Sequence, residues 1–480
     1  MTATQKPLAA AIAANRFGLG ASPGDLDAIG GDPQGWLRKQ LKGTPPVLTD
    51  EGLKPSAQTL AEAMKMRREL AEVRKEKKAG DDEAAKKAAA LKIPALYRPI
   101  YIDEIHARFS QAVTTDRPFL ERLTQFWSNH FAVSVDKNVV LGLAGAMERE
   151  AIRPNVLGNF SSLLLAVEMH PAMLLYLDNQ ASIGPNSRAG QFANMRGKGR
   201  KVDINENLAR EILELHTLGV DGGYTQADVT TFAKAITGWS IGGDAGESRR
   251  FARLGMSDGK PGEFLFREAF HEPGAKRLLG RTYDDNGFRQ GEAILKDLAL
   301  RRETARHVST KLARHFVADD PPPAVVERMT RAWLDSRGHL PKVYEALLDS
   351  PEAWEQPLAK FKTPTDYIYS AYRALDLPMN DKRRALQSFE ALGQRSLQPG
   401  SPAGWPDTSS DWDGSSSLLK RIAWADMVAQ RLGSSRNARE LAPQLLGATL
   451  SDETSTAIAR AESGSQALTL LLASPEFMRR

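Results

Sequence analysis

The sequence predicts a mainly α-helical fold, a single large helical body over residues 1–480 with one small β-hairpin near 263–283. Apolar residues recur at helical spacing along most of the chain, and strand-like alternation is confined to that one stretch. With 480 residues, 41% of them hydrophobic, the chain has material for a sizeable core, and no repeat of fixed period divides it.

The elements follow in order. Asp32 caps a helix that starts with Pro33, where the missing N–H costs nothing. Residues 56–92, rich in Ala, Glu, Lys and Arg, read as two exposed helices broken at Gly80–Asp81, a solvated charged arm. From Pro118, "PFLERLTQFWSNHFAV" places Phe119, Leu123, Phe126 and Trp127 on one helical face. A second apolar helix covers 160–169. Residues 179–202 hold few large apolar groups and carry Arg188, Arg196, Lys198, Arg200 and Lys201, a long basic loop suited to gripping an anion. At 263–283, Phe264, Phe266 and Phe270 alternate, and Glu272-Pro273-Gly274 supplies the turn. Helices resume near 290, three prolines stop one of them at 321–323, and Thr363-Pro364 opens another. Residues 394–416 are a Trp/Asp-rich loop.

Composition removes several functions. Lysine and arginine total 64 against 59 acidic residues, a net charge of +5 thinly spread, and no nucleic-acid module is recognisable, so no nucleic-acid partner is expected. Cysteine is absent, which excludes disulfides, thiolate metal sites and cysteine nucleophiles. No long apolar run follows the amino terminus and no stretch reaches the eighteen apolar residues of a membrane span. The expectation is a soluble protein, cytoplasmic as synthesised. A Gly-x-Ser-x-Gly elbow, a Walker loop and a dinucleotide fingerprint are all missing.

The stretch "VDINENLAREILELHTLGVDGGYTQADV" concentrates polar groups around one apolar helix, read as 204–218. Asp203 is the expected cap, with Glu206 three residues on closing a capping box. At about 100° per residue, Glu206, Arg210, Glu214, Asn207 and Glu211 share roughly 140° of surface, and His216 falls on the apolar side. A solvated face would hold Glu206–Arg210 and Arg210–Glu214 pairs, each contributing about 0.2–0.5 kcal/mol. A buried face would instead let Glu211 and Glu214 bind a cation or divide acid and base roles, with Arg210 keeping one ionised. Gly219 suits the left-handed position that ends the helix, and Thr225 with Asp228 caps the next.

"AANRFGLGASPGDL", "FWSNHFAVS", "MLLYLDNQAS", the Asn-Glu-Asn helix block, "FHEPGAKRLLG" and "GWPDTSSDWDG" together resemble the bacterial family known as domain of unknown function 1800, over nearly the whole chain. The resemblance implies one largely helical unit, no established reaction, and a frequent gene neighbour that is a sulfatase-like secreted protein. Many members look exported, so export together with a signal-bearing partner is a further expectation.

Among eight histidines, His130 and His271 stand where regular elements end beside polar groups and are the expected functional ones. His307 and His315 read as packing and surface. Asp178 and Asn179 could join Asn129 and His130 around a divalent cation. Trp405 and Trp412, interleaved with Asp407, Asp411 and Asp413, suit either a sugar or an anchored loop. The leading expectation is an enzyme or ligand-binding protein with its pocket on helix 204–218, a metal-assisted hydrolase at its most specific. Glu211, Glu214, Arg210, His130 and His271 would be catalytic, with Glu211, Glu214 and His130 holding a divalent metal. Asn205, Asn207, Asn129, Asp178, Arg196 and Lys276 would contact substrate. The alternative is a non-catalytic helper that binds the sulfatase-like neighbour.

Overall fold

The computed structural model describes residues 5–76, 82–195, 204–243, 258–355, 358–377 and 381–480. Among them are 23 α-helices and two small two-stranded antiparallel sheets, so the architecture is mainly α. One connected set of buried apolar side chains runs from Ala10 to Met478.

The Pro118–His130 helix lies at the centre because almost every one of its residues is buried. Its aromatic side chains pack on their neighbours, Phe119 edge-to-face and Trp127 at a tilt. Phe119 packs on Phe17 and Phe316 at 5.9 and 5.6 Å, and Trp127 on Phe160 at 5.6 Å. The Trp127 indole N–H donates to Tyr344 Oη at 2.7 Å. Two helices bring the remaining polar groups to this centre. Arg302–Phe316 carries Lys311 and His315, and Pro364–Leu375 carries Asp366. Thr363 caps the second of these through the Asp366 N–H with Pro364 at its first position, and Asp32 caps the Pro33–Gln40 helix in the same manner. The carboxy-terminal residues return as a short antiparallel pairing. Lys360 N–H donates to Arg480 O at 3.0 Å and Arg480 N–H to Lys360 O at 2.8 Å, which carries the Arg480 side chain inward.

Three segments widen into π-helical turns, Ala13–Phe17, Glu148–Ile152 and Ile212–His216. Such turns insert a residue into a helix and re-aim the side chains that follow.

The β-structure differs from the expected hairpin. Strand β1 (Trp239–Ile241) pairs with β2 (Phe264–Phe266), and β3 (Lys276–Leu278) pairs with β4 (Arg281–Tyr283). The tight turn is Leu279-Gly280, both with positive φ (47° and 82°), the arrangement that matches strand twist. Asp228 Oδ1 accepts the Leu279 N–H at 2.9 Å and steadies leucine in that unfavourable conformation. Glu272-Pro273-Gly274 is a loop leading into β3, not the hairpin turn. Residues 179–202, read as a loop, contain a 3-10 turn at Asn179–Ala181 and a helix at Arg188–Met195. The Ser187 hydroxyl starts that helix by accepting the Gly190 N–H. In the charged stretch 56–92, Ser56, Thr59, Leu60 and Ala63 are buried, and the Ser56 N–H and hydroxyl both donate to Glu150. The Gly80–Asp81 break lies outside the described residues. No helix among the described residues is long and apolar enough to cross a membrane.

Candidate functional site

Segments distant in sequence converge beneath Trp405. Asn129, at the end of the central helix, clasps the backbone of Trp405 with both ends of its amide. Its Nδ2 donates to Trp405 O at 2.9 Å, and Trp405 N–H donates to Oδ1 at 2.8 Å. Gly404 has φ of 86°, and a Cβ there would collide with the Asn129 carbonyl, so this approach requires glycine.

The clasp sets Asp407, two residues on, among one imidazole and two cations. Its Oδ2 takes the His315 Nδ1–H at 2.7 Å, while Lys360 Nζ and Arg480 Nη2 each lie 3.7 Å from Oδ1. Burial would raise the Asp407 carboxyl, but His315, Lys360 and Arg480 hold it well below the ordinary carboxylate range. His315 is lowered by burial, against the pull of Asp407. At neutral pH it is therefore a neutral imidazole, with Nδ1 donating to the carboxylate and a lone pair on Nε2. That Nε2 is buried and has no partner among the described residues.

A second carboxylate, Asp366, sits between Arg122 Nη2 (3.2 Å) and Arg480 Nε (3.0 Å). Burial again works against its ionisation, and the two guanidinium groups overcome it. Beside it the Lys362 ammonium is pushed down to about 7 by burial, which the attraction of Asp366 only partly offsets. Lys311 is pushed down to about 8, first by burial and further by Arg314, against the attraction of Asp407. The interior here holds more cationic than anionic groups.

His130 and His216 add two more bare ring nitrogens. A carbonyl oxygen only accepts, so the 3.2 Å contact between His130 Nε2 and His216 O places the proton on Nε2 and leaves Nδ1 without a partner. His216 Nδ1 meets Glu168 Oε1 at 2.8 Å, both side chains being buried, and its Nε2 is likewise unpartnered. Burial, the Lys311 charge and the neighbouring histidines lower His130 well below its ordinary value.

Three adjoining cavities share Asn129 and Trp405 in their walls. The largest, about 240 Å³, is lined by Phe126, His130, Lys311, Arg314, Trp405 and Asp407 among others. His315 lines a neighbour of about 80 Å³ together with Asp366 and Thr365.

The expected residues are only partly assembled here. Asn129 and His130 belong to the site. The face of the expected helix is half-buried and mostly satisfied by local contacts. Glu206 accepts from Thr230, Gln226 and Arg210, the last an i,i+4 pair at 3.2 Å with both side chains about a third exposed. Asn207 is exposed, and its N–H donates to Asn205 Oδ1, while Asn205 Nδ2 donates to Leu177 O. These are turn contacts. The Glu211 carboxyl is raised by burial and by Glu214, and Tyr224 Oη donates to Glu214 at 3.5 Å. Among the described residues no group of three or more His, Asp and Glu side chains is arranged to hold an ion, so Glu211, Glu214 and His130 do not form the expected metal set. Asp178 pairs with Lys137 at 2.7 Å, and Asn179 donates to Ile236 O and Trp239 O, so each has a partner away from His130. Lys276 Nζ donates to the carbonyls of Glu272, Pro273 and Gly274, a loop-holding role. His271 lines a different cavity. Arg196 and the Asp203 cap lie outside the described residues. Thr225 and Asp228 form the expected capping box.

His216, Glu168, Lys311 and His315 were missed. His216 lies on the apolar side as the helical wheel expects and is buried there; what the wheel cannot show is its carboxylate partner Glu168, 48 positions away. Leu218 N–H bonds back to Leu213 O, five residues earlier, the π-turn that ends this helix. Lys311 and His315 lie four apart on one face, a legible signal, but their carboxylate partner is nearly a hundred residues away.

A family model described as "Protein of unknown function (DUF1800)" matches residues 12–479. The chain belongs to this family. No curated protein and no solved structure matches it. Within the family member described here, three stretches that carry the resemblance, "FWSNHF", the Asn-Glu-Asn helix block and "GWPD", meet around His130, His216 and Asp407.

Proposed function

We propose that this family member is an enzyme performing acid–base chemistry on a small anionic ligand in the pocket under Trp405. The observation that carries this is the His315–Asp407 pair, a buried imidazole with its tautomer set by a carboxylate and its other nitrogen unused. This is how proteins orient a general base. Lys311, with no hydrogen bond or ion pair to another described residue, and Arg314 supply positive charge to the adjoining 240 Å³ space, and Trp405 and Phe126 supply apolar walls. Perturbed ionisable groups gathered at a cavity mark such sites more often than structural ones.

The test is ligand-induced stabilisation with simple anions (phosphate, sulfate, citrate), comparing the natural protein with Lys311→Gln. An anion at a hundred times its Kd should add about 2.7 kcal/mol, lost in the variant. Equal stabilisation of both proteins, or of neither, refutes the reading. A hydrolysis screen of anionic esters then separates catalysis from binding, with His315→Gln as the inactive control.

A second reading, a helper that docks on the sulfatase-like neighbour, is favoured by one feature. The Ser415–Leu432 helix leaves Leu419, Ile422 and Met427 exposed on its outer side. Co-purification that survives in the natural protein and fails in Leu419→Glu would support it.

A further inference from the structure

A larger cavity, about 640 Å³, opens beside β2 and shares no lining residue with the pocket under Trp405. Phe266 and Phe288 form an aromatic wall, with ring centroids 6.2 Å apart. His271, Asp285, Glu268 and Arg188 bring its ionisable groups.

Two of these groups are fixed in unusual states. His271 is 7% exposed, and its Nδ1 lies 3.2 Å from the Thr237 carbonyl, which can only accept. A ring proton is therefore on Nδ1; burial lowers this imidazole below its ordinary value, so at neutral pH Nε2 carries a lone pair, which no donor among the described residues meets. Asp285 is anchored through Oδ2, which accepts the Gly274 N–H at 2.6 Å, and the Gly287 N–H also bonds to this carboxylate. Its other oxygen, Oδ1, stands 3.6 Å from His271 Nε2. That is too long for a hydrogen bond. Two acceptors thus face each other with no donor between them. A single nitrogen donating two bonds of about 2.9 Å reaches both.

The geometry points to a binding site for a small organic amine, whose ammonium bridges His271 Nε2 and Asp285 Oδ1 while its apolar body lies on Phe266 and Phe288. The aromatic faces favour a cation, and in the lining the two carboxylates, Asp285 and Glu268, outnumber the single guanidinium of Arg188. A neutral alcohol of the same shape would carry one donor for two acceptors and no charge. The volume falls within the range of ordinary small-molecule sites. This inference stands apart from the anion pocket, since the two cavities share no lining residue.

The full-length protein would be titrated with 2-phenylethylammonium and, in parallel, with 2-phenylethanol by calorimetry. The amine should bind at least tenfold more tightly than the alcohol. Asp285→Asn should weaken the amine at least tenfold and leave the alcohol unchanged, while Lys311→Gln should leave both as they are. Because Asp285 also holds two backbone N–H groups, a readout on the natural protein accompanies the variant. The Nε2 nitrogen resonance of His271 should move when the amine is added and stay still with the alcohol. Equal binding of amine and alcohol, amine affinity unaffected by Asp285→Asn, or a His271 signal indifferent to the amine would each overturn the assignment.

Discussion

Lys362→Met should stabilise this protein at neutral pH, and the gain should vanish as the solution becomes alkaline. The Lys362 ammonium is buried, its Nζ has no hydrogen-bond partner among the described residues, and burial pushes it from 10.5 down to about 7. An unfolded chain protonates this lysine up to its ordinary value, so between pH 7 and 10.5 the unfolded state binds the extra proton and stability rises with pH. Below pH 7 both states are protonated, and the folded state bears the full cost of a buried charge, about 5 kcal/mol for a displacement of this size. Against this, Lys362 Nζ lies 4.6 Å from the Phe477 ring centroid, a cation–π contact of about 1–2 kcal/mol that methionine loses. The net expectation is a gain of about 3 kcal/mol at pH 6.5, falling towards zero by pH 10.5. Urea unfolding of both proteins across that range measures it, since every other titrating group cancels in the difference. A variant less stable than the natural protein at pH 6.5, or a difference without slope in pH, would refute the reasoning.

Three further outcomes follow from the same interior. Asp366→Asn strands Arg122 and Arg480 without their shared carboxylate and should cost about 3–5 kcal/mol in urea unfolding; a loss under 1 kcal/mol would mean that water reaches this cluster. Gly404→Ala meets both a positive φ and the Asn129 carbonyl, so it should cost more than 1 kcal/mol and change Trp405 fluorescence, whereas Gly400→Ala, with open space around it, should do neither. Because burial lowers Lys311 to about 8, an amine-directed acylating reagent at pH 8 should modify it faster than the exposed lysines in peptide mapping, and faster in proportion as pH rises from 7 to 8.5.

How much was legible in the sequence depended on how local each cause was. The caps at Asp32, Thr225 and Thr363 lie within three residues of the groups they satisfy, and all three are present. Phe119, Leu123, Phe126 and Trp127 were readable as one buried face because helical periodicity is itself local. The family membership was carried by short contiguous stretches for the same reason. The half-burial of the Glu211/Glu214 face, which raises Glu211, was not legible, because side-chain composition does not reveal which side of a helix a distant element covers.

The sequence by itself thus determined the mainly helical class, the helix starts at Pro33, Gln226 and Pro364, the absence of cysteine chemistry and the family. Tertiary structure alone decided that Asn129 clasps Trp405, that His315 meets Asp407 across 92 positions, that a π-turn brings His216 to Glu168, and that Arg480 closes the charge cluster. The physical reason lies in the energetics of buried charge. A lone carboxylate or imidazole carries no mark of its partner in the chain, and whether it is a solvated surface group or a poised interior one depends on which counter-charges the packing of other helices delivers to it.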